Sequence, residues 1–262
     1  MKVCVLASGS KGNATLIQSG ETLLLIDAGI SFRRLKGLME ANGFDPARLD
    51  AVFLSHEHSD HTKGLETLSK RVLLKLYTPL KTYQHITEKT TMDITRFMHY
   101  PVEPDVPISL NDLTVMPIAL SHDSNDSVGF VIQGESKTIV HVTDVGFLPE
   151  TDYPKLHNAD LYVFESNYDV SLLFSSDRPY YLKRRIDSVR GHLSNTDSAY
   201  HMTHLIGDKT KTIILAHPSL ECNSEHHVLK TYREIFDGYG LSLDRYHVIV
   251  AKQHEPTEVV EL

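Results

Sequence analysis

Hydrophobic and polar positions alternate in short blocks along the whole chain, and most blocks are too brief for long helices. Residues 2–6, 14–18 and 22–26 are strand-like runs, which predicts three early strands. A 3.6-residue period follows over 32–41, with Leu35, Leu38 and Met39 on one helical face; Gly43 ends it and Asp45-Pro46 restarts the chain. Residues 51–54 read as a short apolar strand and 64–72 as a helix. The middle is strand-rich, at 113–120, 127–133 and 137–142, and Gly134-Glu135-Ser136 joins the last pair as a hairpin. Then come a strand at 161–164, a helix at 194–205, a strand at 212–216, a helix at 225–236 and a closing strand at 248–251. Each half thus runs strands first, then strands mixed with helices. Helices outside two packed sheets satisfy that order. An open parallel α/β sheet satisfies it as well, and strand order is not readable from the runs.

Composition narrows the class. The 262 residues are 41% hydrophobic and show no linker, low-complexity tract or fixed-period repeat, so one domain over 1–262 is expected. No apolar run approaches the ~20 residues that a bilayer requires. The N-terminal apolar run is broken by Ser8-Gly9-Ser10-Lys11-Gly12, too early for a signal-peptide core. Two cysteines, Cys4 and Cys222, form no disulfide framework and read as small buried hydrophobes. The expectation is a cytoplasmic protein without a membrane partner. With 26 Lys plus Arg against 34 Asp plus Glu, the net charge of -8 argues against a nucleic-acid coat over the whole surface, though not against a local basic stripe.

The unusual count is 16 histidines. Three of them stand in Leu54-Ser55-His56-Glu57-His58-Ser59-Asp60-His61, directly after an apolar strand. Residues two apart in an extended segment point the same way, so His56 and His58 converge on one ion. Asp60 and His61 lie where the chain turns into the next helix and are placed to face a second ion. Nitrogen and oxygen donors of this kind suit Zn, Mn or Fe. Further ligands are expected from His122, Asp144 and His217, each of which stands at the C-terminal end of an apolar strand.

His56-x-His58-x-Asp60-His61 with His122, Asp144 and His217 resembles the metallo-β-lactamase fold superfamily, and Asp27 in Leu25-Ile26-Asp27-Ala28-Gly29 matches its first motif. The resemblance runs from Val3 to about Val250. It implies an α+β fold, a four-layer αββα sandwich with the metals at one edge of the two sheets. It implies two divalent metal ions: His56, His58 and His122 on one, Asp60, His61 and His217 on the other, and Asp144 bridging. Asp27 would orient a ligand imidazole or hold the loop.

The fold hosts many reactions, so the branch rests on other motifs. Glu165-Ser166-Asn167 and Gly191-His192-Leu193-Ser194-Asn195 look like the nuclease branch that includes the transfer-RNA 3′-processing ribonuclease Z. That likeness puts His192 in the general-acid role with Glu165 fixing it. Ser194 and Asn195 open a helix whose N-terminus would attract a phosphate. Together with Ala7-Ser8-Gly9-Ser10-Lys11-Gly12-Asn13, these signatures most resemble the YycJ/WalJ-like metallohydrolases, a family associated with 5′-to-3′ exonuclease action on double-stranded DNA and with bacterial cell-wall regulation. Only 72 residues lie between Asp144 and His217, which leaves no room for the inserted domain of the β-CASP nucleases. Beside His192, Arg178, Lys183, Arg184, Arg185 and Arg190 stand against Asp187 alone, with Tyr180 and Tyr181 interleaved. These residues are expected to track a phosphate backbone and stack a frayed base; a solvated helix face is the alternative.

The leading expectation is a two-metal phosphodiesterase acting as a DNA exonuclease, with DNA favoured over RNA as partner. A metal-bound hydroxide attacks phosphorus, Asp60 orients it, and His192 protonates the leaving oxygen. One alternative is a small-molecule hydrolase of the same fold, a cyclic-nucleotide phosphodiesterase or a thioesterase like glyoxalase II. The latter needs a helical substrate domain after His217, where 45 residues remain. The other alternative is a metal-bound regulatory module with little turnover, marked by DNA or protein binding that survives loss of His192.

Overall fold

The apolar runs pair into two seven-stranded sheets packed face to face, in a computed structural model that describes residues 1–262. The first sheet contains β1 (Lys2–Ala7), β2 (Ala14–Ser19), β3 (Thr22–Ile26), β4 (Ala51–Phe53), β5 (Lys75–Thr78) and β6 (Met98–Pro101), side by side in that order. The second contains β7 (Ile108–Leu110), β8 (Leu113–Leu120), β9 (Ser127–Gln133), β10 (Thr138–Val142), β11 (Leu161–Glu165), β12 (Thr212–Ala216) and β13 (His247–Val250), also in sequence. The chain then returns to the first sheet, where β14 (Val260–Glu261) pairs with β1. Both sheets begin antiparallel, through β3 and through β10, and continue parallel to β6 and β13. That repeat explains why both halves show strands first and helices later. Two sheets, not one open parallel sheet, are present.

The helices follow the same division. α1 (Phe32–Ala41), α2 (Ser59–Thr62), α3 (Leu65–Arg71) and α4 (Leu80–Lys89) belong to the first half. α5 (Tyr153–Leu156), α6 (Val170–Ser175), α7 (Tyr180–Ile186), α8 (Asn195–Leu205) and α9 (Glu225–Gly238) belong to the second. Three apolar layers hold the sandwich together. Val3, Val5, Leu24 and Ile26 meet Val115, Phe130, Ile132 and Val163 between the sheets. Their strand neighbours Cys4, Leu6, Leu23 and Leu25 face Leu35 and Met39 of α1. Tyr162 and Phe164 of β11 face Met202 of α8 and Val228, Tyr232 and Phe236 of α9. Alternate side chains of one strand thus enter different layers, so both faces are apolar and the strand reads as a continuous run. Cys4 and Cys222 are both buried and free. No helix is long and apolar enough to cross a membrane.

This topology brings many strand ends to one edge, since all parallel strands of a sheet finish on the same side. The sheets are also tied together there. Phe53 of β4 meets Phe130 of β9 edge to face at 5.6 Å, and the Val128 amide donates to the Ser55 carbonyl at 3.2 Å.

Candidate metal centre

Three strands end at that edge on a residue with left-handed backbone. β3 runs into Asp27 (φ 59°), β10 reaches Asp144 (φ 59°) just beyond its end, and β12 runs into His217 (φ 56°). Such angles are uncommon outside glycine, and Asp and His are among the residues that adopt them most readily. Their clustering at one edge marks it as a functional region. β4 instead continues through an extended segment to His56 and His58, and the one-turn α2 then carries Asp60 and His61. Close approach at Gly29 lets this turn reach the edge: a Cβ there would lie 1.5 Å from the Asp60 carbonyl oxygen. β8 delivers His122 from the second sheet.

Two groups of ligand atoms result. Nitrogens of His56, His58 and His122 lie within 4.8 Å of one another, as do ligand atoms of Asp60, His61 and His217. Asp144 falls between them, with Oδ2 at 3.2 Å from His61 Nε2 and Oδ1 at 3.9 Å from His122 Nε2. Four imidazoles have Nδ1 engaged by the protein. His56 Nδ1 pairs with Ser55 Oγ at 3.0 Å, and His61 Nδ1 donates to Asp27 at 2.8 Å. His122 Nδ1 donates to the Gly191 carbonyl at 3.0 Å, and His217 Nδ1 to Glu165 Oε1 at 2.9 Å. Partners of this kind fix the tautomer and orientation of a metal-binding imidazole.

The opposite atoms test whether a cation fits. Nε2 of His56, His122 and His217 are buried and have no hydrogen-bond partner. Burying such atoms unpaired is costly. Burial pushes the His217 imidazole down, yet Asp144, Asp60 and Glu165 outweigh it and pull it up to about 10. His61 is raised well above its usual range against the same burial by Asp27, Asp144 and Asp60. Burial opposes the charges on Asp60 and Asp144, but the neighbouring imidazoles hold both carboxyls well below the carboxylate range. The side of the cluster formed by Asp60, His61, Asp144 and His217 therefore favours positive charge, supplied by protons in the metal-free protein and equally by a divalent cation, while burial keeps His56 and His122 neutral and free to donate a lone pair. Nitrogen and carboxylate donors without cysteine suit Zn, Mn or Fe. The residues present can hold metal ions.

Next to these ligands, His192 Nδ1 donates to Glu165 Oε1 at 2.8 Å, while Nε2 makes no hydrogen bond within the protein. Glu165 is fully buried; burial opposes its charge, but His192 and the bonds from His192 and His217 prevail and lower it to about 2. The His192 loop lies directly on the Asp144 loop, because a Cβ on Gly146 would meet the Gly191 nitrogen at 2.4 Å.

Three expected substrate contacts are not brought to this face. Ser194 caps α8, accepting from the Asp197 amide at 3.1 Å, and is 2% exposed. Asn195 exchanges hydrogen bonds with Asn223 and accepts from Ser166 Oγ, so it is consumed inside the protein. Lys183 turns inward and donates to the Phe174 and Ser176 carbonyls at 2.7 and 2.6 Å, at the end of α6. The remaining basic residues are exposed or half-buried. Arg178 pairs with Glu221, Arg184 with Asp187 and Arg185 with Asp123. Arg190 donates to the His122 and Ser124 carbonyls.

Other residues of the site were not singled out by the sequence. Asn13 Nδ2 lies 3.0 Å from His61 Nε2, and Ser55 Oγ donates to Asp27. Asp123 Oδ1 is buried and unpaired, 3.3 Å from His122 Nε2 and 3.9 Å from His58 Nε2. Its position next to His122 was the available signal for Asp123. His141 is buried against Thr15, and burial lowers its imidazole to about 4.

Residues 22–217 match the family model of the Beta-lactamase superfamily domain. The chain belongs to this superfamily and has its metallo-β-lactamase fold. It is 34% identical over 223 residues to exodeoxyribonuclease WalJ of Streptococcus pneumoniae, covering 85% of this chain and 83% of the relative. Identity to exodeoxyribonuclease YycJ of Bacillus anthracis is 30% over 239 residues, covering 91% and 90%. The resemblance to the YycJ/WalJ-like metallohydrolases is thereby borne out. Among solved structures, the metallo-β-lactamase fold protein YhfI of Bacillus subtilis superposes with a TM-score of 0.73 at 21% identity, covering 98% of this chain and 99% of that one. Zn-bound PqqB of Methylobacterium extorquens gives 0.71 at 14% identity, over all of both chains.

Proposed function

We propose that the protein is a divalent-metal-dependent DNA exonuclease acting from the 5′ end in the cytoplasm, with Zn, Mn or Fe bound as a pair. Kinship with two exodeoxyribonucleases supports the substrate class. The observation that carries the reading is the His192–Glu165 pair beside the ligand cluster. Metal ions held by His56, His58 and His122, by Asp60, His61 and His217, and by Asp144 between them would activate water and neutralise the phosphoryl oxygens. Asp60, with its side chain part-exposed, orients the attacking water by accepting a hydrogen bond from it. Glu165 accepts from His192 Nδ1 and so fixes the ring with Nε2 free. That atom gives its proton to the departing oxygen and takes another from water. Arg184, Arg185 and Arg190, with the exposed Tyr180 and Tyr181, line an approach for the phosphate backbone and for a stacked base.

The test is incubation of 5′-phosphorylated duplex DNA with metal-loaded wild type and His192→Ala, beside an RNA duplex and a duplex lacking the 5′-phosphate. Wild type should shorten the DNA stepwise. The variant should retain its metal and lose about 10²–10⁴-fold in rate. Intact DNA in every metal tried overturns the nuclease reading, and equal rates remove His192 from the reaction.

A further inference from the structure

Charge is distributed unevenly around the rim of the metal cluster. On the second-sheet side Arg178, Arg184 and Arg185 are each paired with a carboxylate, so that stretch is largely neutralised and Arg190 alone stands without one. On the first-sheet side three chain segments converge around Asp60 and His61. The β1–β2 loop abuts the chain entering α1, since a Cβ on Gly12 would lie 2.5 Å from the Gly29 carbonyl oxygen. The Asn13 amide donates to the Asp60 carbonyl at 2.8 Å, and the Gly64 amide, just beyond α2, donates to the Ala28 carbonyl at 2.7 Å. The buried Gln253 fastens the block: its Oε1 accepts from the Lys11 amide and its carbonyl from Arg34 Nη2, both at 2.7 Å. Lys11, Arg33 and Lys63 belong to these three segments, and all three are exposed. None pairs with a carboxylate. Residues 1–20 and 28–39 contain no Asp or Glu, and the nearest acids beyond them are taken, Glu40 by Lys36, Glu66 by Lys70 and Glu255 by Lys252.

We propose that Lys11, Arg33 and Lys63 form the docking surface for the uncut strand of a DNA duplex. This rests on the nuclease reading. A chain of net charge -8 repels DNA at a distance, so attraction must come from cations that no carboxylate has neutralised. The largest such group at the rim of the cluster lies here. The strand being cut is committed to the opposite rim, where His192 reaches its leaving oxygen and Arg190 donates to the His122 carbonyl. In a duplex lying over the cluster, the complementary strand then falls toward the first-sheet rim. Cations on three separate segments match phosphates spaced along a backbone and carry no base preference. Each such contact releases condensed counterions, which leaves a signature in the salt dependence of binding.

The test is a salt titration of DNA binding by fluorescence anisotropy, with metal-loaded protein in the His192→Ala background. Lys11→Ala, Arg33→Ala and Lys63→Ala are introduced singly and together, and each protein is offered a duplex and one of its strands alone. On the duplex, each substitution should flatten the slope of log affinity against log salt by about 0.9, and all three together by about 2–3, with affinity falling about tenfold or more. Affinity for the single strand, metal content and unfolding midpoint should stay unchanged. Lys36→Ala, Lys230→Ala and Lys252→Ala, which remove cations already paired, should leave the duplex slope where it was. An unchanged duplex slope in the triple variant overturns the assignment. An equal loss on duplex and single strand overturns it too, because these cations would then hold the cut strand. If wild type leaves DNA intact yet the duplex slope flattens as stated, the nuclease reading fails and the duplex surface stands.

Discussion

Glu165→Gln removes one charge and moves no atom far, yet four donors converge on this fully buried carboxylate. Oε1 accepts from His192 Nδ1 at 2.8 Å and His217 Nδ1 at 2.9 Å. Oε2 accepts from the Val145 amide at 2.9 Å and the Leu193 amide at 3.2 Å. An amide side chain offers one oxygen, so two donors must face its NH₂ group in either orientation. Two hydrogen bonds to a charged acceptor, at about 1.5–3 kcal/mol each, put the loss at roughly 3–6 kcal/mol. Total stability of a domain is about 5–15 kcal/mol, so the variant should be visibly weakened. At about 2–4 °C per kcal/mol, its Tm should fall by roughly 6–24 °C. If the oxygen stays with Val145 and Leu193, His192 loses its tautomer lock and His217 its orienting acceptor. Metal affinity should then drop about 10–100-fold. Urea unfolding of the metal-loaded proteins at pH 7, paired with a chelator competition, measures both effects. Stability within about 1 kcal/mol of wild type, with metal affinity unchanged, would refute the account of Glu165 as the shared acceptor.

Three further expectations concern the same edge. In metal-stripped protein, His61 and His217 are raised above their unfolded value, so their stabilisation is fully present below about pH 6.5 and lost as pH rises, for His217 through about 10. The unfolding midpoint of stripped protein should fall across that window while that of loaded protein stays level; a level profile for both contradicts the assignment. Gly29→Ala forces a Cβ into the Asp60 carbonyl and the Asn13 amide, and should cost about 2–4 kcal/mol and shift the Asp60–His61 turn, read as metal loss and a lower midpoint. Asp123→Asn withdraws a charge lying 3.3 Å from His122 Nε2, and should weaken metal at the His56–His58–His122 group about tenfold more than at the other; equal occupancy of both groups in a metal titration counts against a role for Asp123.

The sequence was most legible where a strand is covered on both faces. β3, β9 and β12 match their predicted bounds because each is a largely apolar, almost wholly buried run ending in a polar residue or a turn, and β8 matches as a longer run with alternate residues half-buried. α1 matches as well, with Ser31 as N-cap and Leu35 and Met39 inward. β6 and β7 were missed because they are short and partly exposed, so neither shows an apolar run. α7 was missed because Tyr180, Tyr181, Arg184 and Arg185 are exposed and leave almost no inward stripe. The same helix shows where charge misleads. Lys183 reads as one more surface cation, yet its ammonium satisfies two carbonyls at the end of α6 through a contact set by the fold. The residues proposed as ligands were legible because a polar residue after a strand end is a one-dimensional signal. Asn13 and Ser55 were not, since their place beside His61 and Asp27 comes from pairing across the sheet edge.

The tie between the sheets at this edge separates two things that could have varied together. Phe53 against Phe130, and the Val128 amide on the Ser55 carbonyl, lie immediately behind His56 and fix how far the first sheet stands from the second. The first half carries His56, His58, Asp60 and His61, and the second carries His122, Asp144 and His217, so each ligand group spans both sheets and its width follows the distance between them. A cavity beside this edge is walled in part by the β8–β9 connection, which carries His122, and in part by the connections after β5 and β6, which bear no ligand. Reshaping those connections can change which molecule is admitted while the spacing that governs bond cleavage stays constant. Selectivity and chemistry are thus independently adjustable in this architecture.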